Sequence, residues 1–158
     1  MGPQESSGAT QKDVEAVLVS FTSPPVIEVV CGVQFEPLAN FLSAHYGEFR
    51  ELVKGEYPNT EDRMPIADLF ENRKVPTIPE TLEVPPLRRV FYIDASGNFL
   101  LQLQPSRFLA NWRRMRAEDE YPRFGAAYKR FLTGWDLFLR FARDRGLGTP
   151  MANQYELT

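Results

Sequence analysis

The chain holds one histidine, His45, and one cysteine, Cys31, so any chemistry that needs either residue type runs through these two. Nucleophilic catalysis requires a nucleophile within reach of a base. Cys31 falls in the alternating apolar row Ile27, Val29, Cys31, Val33 and Phe35, which reads as an inert core thiol on a strand. His45 lies beside an apolar helical stripe and reads as a structural histidine. A single cysteine excludes a disulfide framework and cysteine-built zinc sites, and a single histidine excludes histidine-rich metal centres. Acid–base work needs only two positioned carboxylates, and Glu61-Asp62 and Glu118-Asp119-Glu120 supply neighbours of that kind. Adjacent acids in loops are ordinarily solvated, and no spacing here builds a metal site. Gly146-Leu147-Gly148 does not open a helix after a strand, so it is no phosphate loop. The reading is a non-enzymatic chain with no cofactor and no metal.

The richest polar pattern is Gln102, Gln104, Arg107, Asn111 and Arg113, with Trp112 beside them and Arg116 just beyond. Amides and guanidinium groups hydrogen-bond bases, carboxylates or phosphates in two directions. At strand spacing these side chains share one face or edge of a sheet. With Trp112, Tyr92 and Phe91 near, such a face could stack and bind single-stranded nucleic acid or a nucleotide. Two plainer readings stand beside it. One is the solvated face of a one-sided antiparallel sheet. The other is a buried polar network tying the sheet to a proline-rich connection. The basic run Arg113-Arg114-Met115-Arg116 pairs, on this reading, with Glu118-Asp119-Glu120.

These residues need elements to hold them. Val26–Phe35 alternates as a strand. Pro37 suits a helix start, and apolar residues from Leu38 to Val53 recur at helical spacing as far as Lys54, with Gly55 as the stop. Residues 57–87 carry six prolines and read as a long irregular connection, laid on the body by Met64, Ile66, Leu69, Phe70, Val75, Ile78 and Leu82. Arg88–Asp94, Phe99–Gln104 and Arg107–Arg113 form a three-stranded meander, turned at Ala95–Asn98 and at Pro105-Ser106. Pro122 at the first turn opens a helix to about Arg145, with an apolar stripe of Phe124, Tyr128, Phe131, Leu132, Trp135, Phe138, Leu139 and Ala142. Met151–Thr158 is a final strand. The order β-α-long loop-β-β-β-α-β predicts an α+β fold, an antiparallel sheet with two main helices packed on one face. Residues 1–22 read as a flexible tail or weakly structured lead-in, and 23–158 as a single domain.

Three blocks are specific beyond their periodicity: Pro24–Phe35, Leu100–Arg113 with its Gln-Leu-Gln-Pro-Ser-Arg-Phe and Asn-Trp-Arg runs, and Glu120–Arg123 with Glu156-Leu157-Thr158. Together they resemble an uncharacterised family of sporadically distributed bacterial and archaeal proteins, over roughly residues 23–158. Members of that family are usually longer, so the likeness is to their N-terminal portion. It implies a truncated member or an open sheet edge that a partner completes. Sporadic distribution implies an accessory role of the defence or toxin–antitoxin kind. It implies no catalytic residues.

The 158 residues, 43% of them hydrophobic, fit one globular domain. No apolar run approaches the length of a membrane span, and no leader pattern opens the chain, so the expected compartment is the cytoplasm. The net charge of −3 conceals a split. Residues 1–87 hold 6 basic and 14 acidic side chains, a net of −8; residues 88–158 hold 12 and 7, a net of +5, with 11 of the 12 cations arginine. The total argues against a general polyanion binder, while the basic half leaves room for a local anionic ligand or an acidic protein. The expected function is therefore a non-catalytic interaction domain acting through a protein partner or self-association. Single-stranded nucleic-acid or nucleotide binding on the Gln/Arg/Trp face is the alternative.

Overall fold

The computed structural model describes residues 21–22, 24–68 and 87–158. Eight elements follow in order: β1 (Glu28–Phe35), α1 (Ser43–Val53), β2 (Asn59–Arg63), β3 (Arg89–Ile93), β4 (Phe99–Gln104), β5 (Arg107–Arg113), α2 (Phe124–Asp144) and β6 (Ala152–Leu157). The strands form one antiparallel sheet in the order β2-β3-β4-β5-β1-β6, so the fold is α+β. β1, the first strand in sequence, lies between β5 and β6, and this long-range pairing joins the two ends of the described chain.

The alternation along each strand sorts residues onto two faces. Register stacks Val33 beside Phe108 beside Leu103, and Cys31 beside Ala110 beside Leu101. Val90 and Tyr92 continue the rows on β3. This face meets both helices in one aromatic core. Phe49 of α1 contacts Tyr92 and Phe108 edge-on, while Phe138 of α2 stacks on Phe108 at 5.6 Å. Gly134 lets α2 come close: a Cβ there would lie 3.0 Å from Phe108 Cζ and 3.1 Å from Leu101 Cδ2. Cys31 is buried in the same layer, and desolvation pushes its thiol pKa up, as expected of an inert core cysteine.

Three local expectations are corrected. The helix predicted from Leu38 begins at Ser43. Leu38 and Phe41 are buried all the same, through a tight turn in which Phe41 N–H donates to the Leu38 carbonyl at 3.0 Å. The second helix starts at Phe124, after Pro122, because Arg123 takes a left-handed φ of 71° that no helical run can continue through. The acids Glu118–Glu120 therefore lie before its first turn. Within the connection predicted to be irregular, Asn59–Arg63 pairs with β3 as an edge strand, so the meander has four strands. Its exposed polar sequence, Asn-Thr-Glu-Asp-Arg, carries no apolar alternation to mark it. Residues 69–86, with Leu69, Phe70, Val75, Ile78 and Leu82, and the 1–20 lead-in lie outside the described residues; Ile66 is half-buried and Met64 is exposed.

Candidate functional site

The face of the sheet away from the helices gathers most of the polar residues singled out from the sequence. Register places Gln104 beside Arg107 beside Gln34, and Gln102 beside Leu109, with Asn111 next along β5. All five polar side chains are buried. Most of their hydrogen-bonding groups are spent on one another and on adjoining residues, while Arg107 Nε is buried with no hydrogen-bond partner among the described residues. Arg89 donates to Gln102 Oε1 at 2.9 Å, Gln102 Nε2 to Asn111 Oδ1 at 2.7 Å, and Asn111 Nδ2 to Glu28 Oε1 at 2.8 Å. A second chain runs from Gln34 Nε2 to Asn153 Oδ1 at 3.2 Å, while Arg107 donates to Gln34 Oε1 and pairs with Glu156 at 3.1 Å.

The start of the proline-rich connection crosses this face. Gln104 accepts from Ile66 N–H at 3.0 Å and returns a bond to Ile66 O at 2.9 Å. Ser106 donates to Asp68 at 2.7 Å, and Arg107 to Ala67 O at 3.3 Å. Of the three ways of reading these residues, the geometry matches the buried network that ties sheet to connection. The cost of leaving such groups unpaired holds the network together.

The remaining candidates are scattered. Trp112 lies on the opposite, helical face, 2% exposed and covered by Tyr121 at 5.3 Å between centroids. Tyr92 is also inside that core. Phe91 is on the polar face but buried under the guanidinium groups of Arg89 and Arg63, at 4.9 and 5.6 Å from its ring centre. Burial depresses the pKa of Arg89, helped by the like charges of Arg107 and Arg63. Arg113 Nε donates to the Gly97 carbonyl at 3.0 Å, and Arg116 is exposed. The basic run does not form the expected ion pairs with the acids after it. Instead Asp119 accepts from Asn98 Nδ2 and from the backbone N–H groups of Met115 and Arg116 at 2.7–2.9 Å. The Asn98 bond first, then these amides, hold its carboxyl below its ordinary pKa. His45 Nδ1 accepts the Leu42 N–H at 2.8 Å and so closes the start of α1.

A different surface is open. β6 is an outer strand, and its ladder with β1 fixes which backbone groups turn outward. Val30 and Thr158 exchange both hydrogen bonds, at 2.9 and 3.1 Å. Gly32–Glu156 and Gln34–Gln154 are the next pairs of that kind, since bonded and non-bonded pairs alternate. Tyr155 and Leu157 fall between them. Their N–H and C=O groups point away from β1, with no partner strand among the described residues. Their side chains lie on the helical face, 77% and 67% exposed. Beside them α2 leaves a groove of about 580 Å³ with Cys31 and Val33 on its floor and Phe124, Tyr128, Leu132 and Trp135 along its wall. Phe124, Tyr128 and Leu132 were expected in the core stripe but stay nearly half exposed. The stripe has two parallel rows: the Phe131–Gly134–Phe138 row seats on the sheet with Trp135 beside it, while Phe124, Tyr128 and Leu132 do not. A stripe that wide is the sequence signal for a second contact surface.

Among the described residues no helix is long and apolar enough to cross a membrane. Comparison with protein-family models, with curated proteins and with solved structures finds no match.

Proposed function

We propose that this protein is a non-catalytic interaction domain whose working surface is the β6 edge with the α2 groove beside it. The observation that carries the reading is the coincidence at Tyr155 and Leu157. There, backbone groups with no partner strand among the described residues and exposed apolar side chains point at the same neighbouring volume. Strand addition uses both: main-chain hydrogen bonds give affinity, and alternate side chains entering a pocket give specificity. An uncovered edge is otherwise an aggregation liability that folds tend to block with charge, proline or a bulge; the register shift in the β1–β6 ladder lies at the Asn153 end of β6, and Tyr155 and Leu157 lie beyond it. An accessory role of the sort the sequence resemblance implies would suit such a domain. Binding of single-stranded nucleic acid or a nucleotide has less support, because Gln102, Gln104, Arg107 and Asn111 would first have to abandon their internal partners.

Proline at position 155 tests the reading. It removes an N–H that β1 does not use, so the fold should survive while the outward ladder loses a donor. Tagged wild-type, Tyr155→Pro and Arg116→Ala proteins would be compared for partners captured from the source cells. Loss of capture in Tyr155→Pro alone is expected. Equal capture by all three would overturn the edge as the working surface.

A further inference from the structure

Resting on that reading of the edge, we infer that the segment occupying it is β6 of a second copy, paired antiparallel about a two-fold axis at Tyr155. The strand's own pattern selects this arrangement. Only outward-facing residues can form hydrogen-bonded pairs with a new strand, which by the alternation set at Thr158 are Tyr155 and Leu157; the register shift between Gln34 and Phe35 leaves Asn153 as a bulge where that alternation ends. Two-fold symmetry then allows few registers. Centred on Tyr155, the axis pairs Tyr155 with itself and Gln154 with Glu156, and sets Leu157 opposite the bulge at Asn153. Slid by one residue, it sets Glu156 directly against the second copy's Glu156, a like-charge pair that destabilises a sheet. Slid the other way, it leaves Leu157 unpaired.

Glu156 is the only charge on β6. The Tyr155 register therefore keeps Gln154, Tyr155 and Glu156 paired and opposes no like charges. On the helical face it brings two copies of the exposed Tyr155 and Leu157 together, flanked by Phe124, Tyr128 and Leu132 from each α2. At about 150–250 Å² for a fully exposed large side chain, these five offer roughly 500 Å² per copy. A standard interface takes about 800 Å² per partner, and the strand backbone with Asn153, Gln154 and Glu156 makes up much of the difference. A continuous twelve-stranded sheet results, with the β2 strands as its outer edges.

Light scattering on the intact chain over a range of concentrations reads the mass, and circular dichroism checks that each variant is folded. The wild type is expected to approach twice 18.1 kDa, and Tyr155→Pro to stay at one copy. The register is read by charge. Gln154→Glu faces Glu156 of the second copy twice and should weaken the dimer roughly three- to tenfold, while Gln154→Lys should tighten it by a similar factor. A wild type that stays monomeric at every concentration overturns the inference. So does a dimer indifferent to Tyr155→Pro or to both charges at 154. A monomer that still captures another protein through Tyr155 would refute self-pairing alone and leave the edge reading standing.

Discussion

Replacing Arg107 by Met separates a structural network from a ligand site. Met keeps an apolar stem and removes the guanidinium. The side chain is 3% exposed, and its loss takes a donor from Gln34, a contact from Ala67 and the ion pair from Glu156. Breaking a fully buried ion pair costs about 3–5 kcal/mol. Glu156 keeps about a fifth of its side chain in water, so it rehydrates and its share falls to the low end. The Ala67 contact, at 3.3 Å, is long and adds little. The loss expected is therefore about 3–4 kcal/mol, set mainly by the ion pair and the Gln34 bond. In urea, with the slope unchanged, that lowers the midpoint by about 1–2 M. Glu156→Gln in the same background should give a coupling of about 1 kcal/mol or more in a double-mutant cycle. A loss under about 0.5 kcal/mol would refute the network as a stabilising element. So would an unchanged midpoint accompanied by lost binding of a single-stranded oligonucleotide, the outcome a ligand-contacting arginine requires.

Two further outcomes follow from local geometry. Asp119→Asn should loosen the turn after β5 through the lost charge-assisted bonds to Met115, Arg116 and Asn98. Because the folded carboxyl titrates below its ordinary value of 3.8, the wild-type advantage is complete above that value. It fades as pH falls through the depressed folded value, so the two proteins should converge in acid melts, and a gap that persists at the lowest pH would contradict the assignment. His45→Ala removes the acceptor for the Leu42 N–H and should cost about 0.5–2 kcal/mol in thermal unfolding, as other lost helix caps do. Unchanged stability would show that water serves that amide equally well.

Much of the architecture was legible because it rests on periods. The two-residue alternation of Phe99–Gln104 and Arg107–Arg113 named both strands to the residue, and each face with them. Gly97 with Asn98, and Pro105 with Ser106, supplied turn chemistry at the right spacing. Helix starts were less legible. Leu38 and Phe41 follow a helical stripe because they enter the core, yet a core residue in a turn leaves the same trace as one in a helix. The start of α1 depended on a side-chain bond from His45, and that of α2 on the backbone angle at Arg123.

The amino-acid order by itself determined that this chain is an α+β body without a disulfide framework or a histidine-rich metal centre, and that Gln102, Gln104, Arg107 and Asn111 line one face or edge of a sheet. Only the tertiary structure decided what that face does. Alternation assigns a side, but whether the side meets water or another segment depends on residues 66–68, nearly forty positions upstream of Gln104 and Arg107, folding across it. The open edge is decided the same way. β6 is an outer strand because it pairs with β1 on one side and with no described strand on the other, a long-range choice that no local pattern in Ala152–Leu157 records.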